Sequence, residues 1–182
     1  MDELLSARKA TPGDAETIAS IYNEGIADRI ATFETRLRSA ADVRSWFDGV
    51  HPVVVVEQAV IEQAVVEQAA IEQAGQIVAF AATFPYRPRE CYSGVAEGSV
   101  YVARSMRGRG AGRLALNTLI DAAREQGFWK LVSRIFVENQ ASRRLIRTLG
   151  FREVGVYEKH GKLDGVWRDV VIVERLIPAN FT

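Results

Sequence analysis

Apolar positions along the chain follow two rhythms, and the switches between them outline the elements. Residues 4–9 read as a short strand, after which "TPGDAETIASIYNEGI" sets Ile18, Ile21, Tyr22 and Ile26 on one helical face. Thr11 stands as the N-cap of that helix, Pro12 as its first residue and Asp14 as an acid in its first turn. A second helix is predicted after Ser39, with Asp42 three residues on and Val43, Trp46 and Phe47 along one side. "HPVVVV", "QIVAFAATF" and "GSVYVA" are apolar runs of strand length. "GRGAGRLALNTLIDAAREQG" returns to the helical rhythm and closes at Gly127; strand "LVSRIFV" and helix "NQASRRLIRTLG" follow, the latter capped by Gly150. Two last strands, near 151–157 and 169–176, flank an Asp164-Gly165 turn that signals a hairpin. The order β-α-α-β-β-β-α-β-α-β-β combines hairpins with crossovers and predicts a mixed α/β sheet in one domain.

One stretch fits neither rhythm. From Val55 to Gly75 the unit [VA][VI]EQA recurs four times, "VVEQAVIEQAVVEQAAIEQAG". Five residues advance about 500° around a helix, so the apolar pairs drift off any one face, and on a strand an odd period flips the face with each copy. Neither geometry gives a fixed buried side. Ala, Glu and Gln favour a helix and Gly75 suits its C-terminal cap, so the repeat leans toward an exposed helix. With three units excised the text reads "HPVVVVEQAGQIVAFAATF", two strands around a short turn. The added length is two doublings of a loop, on the order of 1.2 kcal/mol of closure entropy. Residues 57–74 therefore read as an expansion of a surface turn, and Glu57, Glu62, Glu67 and Glu72 as solvated charges rather than a ligand site. A partner-binding or oligomerising element is the alternative.

Composition narrows the function classes. The chain has 182 residues, 48% of them hydrophobic and 25% charged, with a formal net charge of zero. That length buries a core without help from disulfides or metal. Cys91 is the only cysteine and the two histidines, His51 and His160, lie far apart, so no metal site is expected. Neutral charge without long basic runs argues against nucleic acid as a partner. Residues 1–20 carry no apolar signal core, and no window approaches the roughly 18 apolar residues of a membrane span, so a cytoplasmic protein off the membrane is expected.

Chemistry is signalled in "SVYVARSMRGRGAGRLALNTLI", where an apolar strand gives way to a glycine-dense turn that opens a helix. Gly108, Gly110 and Gly112 let the backbone fold close to an anion, with N–H groups and a helix N-terminus pointing at it. Arg107, Arg109 and Arg113 add full positive charges. A dinucleotide fingerprint would need glycine where Arg113 stands, and a Walker loop would need Gly-Lys-Ser/Thr, so both fail. On this stretch alone, a surface turn with solvated arginines remains the plain alternative.

Here the chain resembles the GNAT acetyltransferase superfamily, whose acyl-CoA motif R/Q-x-x-G-x-G/A matches Arg107, Gly108, Arg109, Gly110, Ala111 and Gly112. "ENQAS" at 138–142 and "LGF" at 149–151 are similar to the family's second cofactor segment, where the asparagine (Asn139) and small residues (Ser142) contact the cofactor. The resemblance implies a single-domain GNAT-like α/β fold: a mixed, mostly antiparallel sheet flanked by helices and splayed at its central parallel strands. It also implies acetyl-CoA as cosubstrate, no metal, and a thioester facing Val100, Tyr101 and Val102, whose backbone N–H groups would polarise its carbonyl. Narrower features are "IYNEGI", "ATFE" at 31–34, "FPYRP" at 84–88, "EGSVYV" at 97–102 and "GKLDGVWRDV" at 161–170. These are similar to the phosphinothricin, methionine sulfoximine and arsinothricin N-acetyltransferases, over nearly the whole chain except the repeat. That branch acetylates the α-amine of small glutamate-like amino acids or glutamine synthetase inhibitors by direct transfer, usually as a homodimer. A small amino-acid-like substrate, a homodimer and a resistance role are therefore expected.

An amine attacks a thioester only in its neutral form, so some group must take a proton from the ammonium. Glu97 is the candidate: it shares a strand face with Ser99 and Tyr101 by alternation and matches the acid of the family's corresponding segment. Without the resemblance it would read as a solvent-facing strand carboxylate. Arg87, between Tyr86 and Pro88, could bind a carboxylate or phosphinate through its guanidinium fork, with Arg89 assisting. Thr32 and Phe33 match a substrate-loop segment, although Phe33 would equally serve as a core anchor. Lys162 and Trp167, by resemblance, support the substrate pocket or a dimer contact. One role is left unfilled: where relatives carry Tyr or His to protonate the departing thiolate, this chain has Ile146, leaving Tyr157, water or no acid at all. A peptide or protein N-acetyltransferase and a non-catalytic acyl-CoA-binding module are the other function classes.

Overall fold

The computed structural model describes residues 4–59 and 75–181. Its elements are β1 (Leu5–Lys9), α1 (Ala15–Ala27), α2 (Ala40–Arg44), β2 (Val53–Gln58), β3 (Gln76–Pro85), β4 (Val95–Val102), α3 (Ala111–Glu125), β5 (Lys130–Phe136), α4 (Gln140–Thr148), β6 (Arg152–Leu163) and β7 (Val166–Leu176). The predicted order holds throughout. Helix α2 starts at the cap the sequence placed, whereas α1 starts at Ala15, one short turn after the expected Pro12. Thr11 and Asp14 form a capping box around a short 3-10 turn that leads into α1, and Ser39 and Asp42 do the same for α2. Helix α2 is shorter than predicted. It ends at Arg44, because Asp48 draws the chain into a turn by accepting from the backbone N–H groups of Val50 (2.8 Å) and His51 (2.7 Å), with Gly49 at φ +79°. Trp46 still packs inward, 6.0 Å from Phe80 and 5.2 Å from Phe84.

Seven strands form one sheet in the order β1-β2-β3-β4-β5-β7-β6. The unbroken "VVVV" of β2 is explained by burial on both sides. Val54 and Val56 face α3 with Ala79, Ala81, Ala115 and Leu119, whereas Val53 and Val55 face α1 with Ile18, Ile21 and Phe80. Every strand pair is antiparallel except β4–β5, and that pair holds register over only three positions, ending at Glu97↔Val132. Beyond it β4 stays with β3 and β5 stays with β7, so the sheet opens between its two parallel strands. The fold class expected from the sequence, a mixed and mostly antiparallel sheet splayed at its centre, is the one observed.

The terminal hairpin is longer than its sequence pattern suggests. β6 reaches Leu163, and the turn is Asp164 (φ +49°) followed by Gly165 (φ +80°), the left-handed pair that a two-residue hairpin requires. An irregularity between Tyr157 and Gly161 breaks the alternation, with Lys159 at φ +47° and its N–H donating to Asp169 Oδ1 at 2.7 Å. That bulge hid the second half of the strand.

The first repeat unit belongs to β2, and its end pairs Gln58 with Gln76, so the chain leaves and rejoins the sheet at neighbouring positions. Glu57 corrects one expectation: it is a buried-edge ion-pair partner, accepting from Arg8 Nε (2.9 Å) and Nη2 (2.7 Å), rather than a solvated charge. Glu57 and Gln58 are strand and not helix; the helical expectation for the other units, with Glu62, Glu67 and Glu72, lies outside the described residues.

Candidate active site

Divergence of β4 from β5 opens a cleft of about 570 Å³. Glu97, the last residue of β4 still paired to β5, stands at its apex. Alternation puts Glu97, Ser99 and Tyr101 on the α1 side, and all three line the cleft. On β5 the same side carries Val132, Arg134 and Phe136, and Arg134 Nη2 donates a short hydrogen bond to Glu97 Oε2. Phe33 packs edge-on to Phe136 at 4.7 Å and also covers Gly161, where a Cβ would lie 2.8 Å from its ring. It is both wall and anchor. Thr32 Oγ1 accepts from the N–H of Glu34 at 3.1 Å, and Arg38 pairs with Glu34 at 2.5 Å. Tyr101 stacks on Phe80 (5.4 Å), meets Tyr22 edge-on (4.6 Å) and fills the space over Gly25, where a Cβ would sit 2.7 Å from its ring. Burial pushes the Tyr101 phenol well above its ordinary pKa, and the adjacent Tyr22 adds to the shift. Tyr22 and Tyr101 thus make an aromatic patch in a wall that also carries the Glu97–Arg134 and Glu34–Arg38 ion pairs.

The glycine turn follows the end of β4, outside the cleft lining. Gly108 (φ +78°) and Gly110 (φ +91°) take left-handed conformations, and a Cβ on either would meet no atom within 4 Å, leaving an open cradle. Gly110 is the N-cap of α3 and no side chain caps the helix, so its first N–H groups are available to an anion. Gly112 serves packing instead, since a Cβ there would lie 3.1 Å from Val102 Cγ2. Arg109 and Arg113 are exposed beside the turn. Arg107 is engaged within the fold, donating from Nε to the Val102 carbonyl (3.1 Å) and pairing with Asp28 (2.6 Å). Arg104 completes that latch, and the two guanidinium groups, Arg104 first, hold the Asp28 carboxyl below its usual range. Asn139 caps α4 by accepting from the Ser142 N–H (3.1 Å) and donates to the Ile30 carbonyl (3.0 Å). An open glycine cradle at an uncapped helix start, flanked by arginines and following the strand that lines the cleft, fits a phosphorylated ligand.

Of the residues singled out in the sequence, Glu97, Thr32, Phe33, Val100, Tyr101, Asn139 and Ser142 line the cleft. Val102, the glycine-turn residues 107–113, Arg87, Arg89, Lys162 and Trp167 do not. Arg87 lies over the Tyr86 ring at 5.3 Å and Arg89 is exposed beside it, while Lys162 lies over Trp167 at 4.6 Å, across the terminal hairpin. Ile146 is buried in the cleft wall, and Tyr157 is 55% exposed outside it. The lining residues that sequence reasoning did not single out for the site include Arg38, Arg134 and His160. A signal existed for Arg134, a lone charge inside an apolar strand, which requires a counter-charge. His160 reaches the cleft only through the β6 bulge, and Arg38 lies in no regular element.

A sheet split between parallel central strands, with an anion cradle at the start of the following helix, is the architecture of an acyl-CoA-dependent N-acetyltransferase. The Acetyltransferase (GNAT) family matches residues 29–151, and the chain belongs to that family. It is 32% identical to the L-methionine sulfoximine/L-methionine sulfone acetyltransferase of Pseudomonas paraeruginosa, over 93% of this chain and 92% of the relative. Among solved structures it is similar to a GNAT superfamily phosphinothricin acetyltransferase from Sinorhizobium meliloti in complex with AcCoA, with a TM-score of 0.79, 26% identity and coverage of 97% and 89%. It is likewise similar to a ribosomal-protein-alanine N-acetyltransferase from Brucella melitensis, with a TM-score of 0.80, 31% identity and coverage of 94% and 99%.

Proposed function

We propose that this N-acetyltransferase acts on the α-amine of a small glutamate-like amino acid or a toxic analogue of one, such as phosphinothricin, methionine sulfoximine or arsinothricin. The observation that carries the reading is a carboxylate, Glu97, at the apex of the sheet's opening, between the aromatic substrate wall and the glycine cradle. Similarity to the methionine sulfoximine and phosphinothricin acetyltransferases supports it. Acetyl-CoA, when bound, supplies the acetyl group as an activated thioester. The N–H groups of 108–111, with Arg109 and Arg113, would hold its phosphates, and the free edge of β4 at Val100, Tyr101 and Val102 would lie along its acyl end. Glu97 takes one proton from the substrate ammonium, leaving a neutral amine whose lone pair forms the new C–N bond as the C–S bond breaks. The amine's second proton passes to the departing sulfur, directly or through water, because Ile146 offers none. Arg87 and Arg89 stand outside the cleft lining and take no part in this reading, and Lys162 and Trp167 are proposed as contacts of a homodimer. A cytoplasmic location and a resistance role belong to the same proposal; among the described residues no helix is long and apolar enough to cross a membrane.

The test is free-CoA release by the purified protein across the three inhibitors, glutamate, ordinary amino acids and short peptides. Turnover concentrated on an inhibitor or on glutamate supports the reading. Peptides outpacing every free amino acid would overturn it in favour of a peptide N-acetyltransferase, the reading that the Brucella melitensis structure's name favours.

A further inference from the structure

Arg134 has no part in the mechanism above, yet it occupies the middle of β5, pairs with Ile172 of β7 through the backbone, and extends into the cleft to contact Glu97. Its side chain keeps 42% of its exposure and that of Glu97 keeps 30%. A solvent-reached ion pair of this kind contributes little to stability, so stability does not account for a guanidinium in the middle of β5. The other arginine of the cleft wall, Arg38, is tied to Glu34 and is 20% exposed. An α-amino acid carries a cation and an anion separated by one carbon. Its receptor needs the complementary pair at equally close quarters, and Glu97 with Arg134 is such a pair.

We propose that Arg134 is the α-carboxylate receptor of the amino-acid substrate, and that its bond to Glu97 is a resting state which the substrate zwitterion divides. The carboxylate takes the guanidinium fork, the ammonium takes Glu97, and the Glu97 oxygen released from Arg134 becomes the proton acceptor. The rigid backbone of a central strand fixes the fork before substrate arrives. Specificity follows from the same exchange: an amine without a neighbouring carboxylate leaves Glu97 engaged by Arg134. This inference rests on the amino-acid reading of the site.

The experiment compares kcat and KM for the preferred amino acid and for its decarboxylated amine in the wild type, R134Q and R134K. Melting temperature and acetyl-CoA KM report on folding. The wild type is expected to prefer the amino acid strongly. R134Q is expected to raise the amino-acid KM by about tenfold to a hundredfold, the loss of a charge-assisted pair, while kcat/KM for the amine rises as Glu97 is released from its partner, so that the preference for the amino acid collapses. R134K, a point charge without the fork, is expected to recover part of the loss, and it decides the matter if R134Q fails to fold. An equal loss on both substrates would overturn the proposal, leaving Arg134 as a brace for Glu97. Equal wild-type use of the amine and the amino acid would also overturn it, with the N-acetyltransferase intact. Turnover on peptides but on no free amino acid would instead remove the amino-acid reading itself, and this proposal with it.

Discussion

Gly110 shows how much of the cofactor side depends on single residues. It combines a left-handed backbone, the N-cap of α3 and empty space where a Cβ would stand. G110A therefore meets no clash, but it holds an L-residue at φ +91° at a cost of about 1–2 kcal/mol. It also lines the anion cradle with a methyl group. The expected result is a melting temperature lower by a few degrees and a raised acetyl-CoA KM with the amine-substrate KM unchanged; equal rises in both would detach Gly110 from the cradle. Residues of this kind were legible in the sequence because their signals are local: the glycine spacing, and the alternation that set Glu97 beside Ser99 and Tyr101. Arg134 was not, since its partner lies 37 positions away and only strand pairing brings the two together. Nor does any local pattern reveal that Arg87 and Arg89 stop short of the cleft wall.

Elements were legible wherever a cap or a turn fixed an end, as at Thr11, Ser39, Gly127, Gly150 and Asp164-Gly165. They were misjudged where an off-pattern turn decides, as with Asp48 at the early end of α2, or a long-range side chain, as with Asp169 at the bulge in β6. The junction of β1, α1 and β2 is held by one such long-range cluster. Arg8 reaches Asp14 at 2.8 Å and Glu57 at 2.7 Å, joining the cap of α1 to the first repeat unit. The hydrogen-bonded Arg8 guanidinium, helped by the Thr11 N–H, lowers the Asp14 pKa from 3.8 to about 2. A depressed carboxyl contributes stability that is complete above its unfolded pKa and is lost as pH falls through its folded one. D14N is therefore expected to melt below the wild type at neutral pH, with the gap closing as pH drops from 3.8 to about 2. A gap that stays constant through that window, followed by calorimetry, would assign the loss to the cap alone.

At the scale of the whole molecule the repeat and the splay fall at different strand pairs of one sheet. The repeat enters and leaves between Gln58 and Gln76, on the side of β3 away from β4, whereas the cleft opens between β4 and β5. Deleting residues 60–74 restores a close β2–β3 connection. It is expected to leave kcat/KM within about twofold and to raise stability by on the order of 1 kcal/mol, the closure entropy of the longer loop. A large fall in activity would give the repeat a part in the enzyme. The splay concentrates the chemistry at one point, because Glu97 is where pairing between the central strands stops. The most direct test is the pH dependence of kcat/KM for E97Q against the wild type on the best amino-acid substrate, from mildly acid to alkaline pH. A positioned proton acceptor contributes roughly 10²–10⁴-fold, so E97Q is expected to lose activity on that scale below alkaline pH and to recover as the free amine becomes abundant. A wild-type-like profile, in height and in shape, would contradict the assignment of proton transfer to Glu97 at the opening of the sheet.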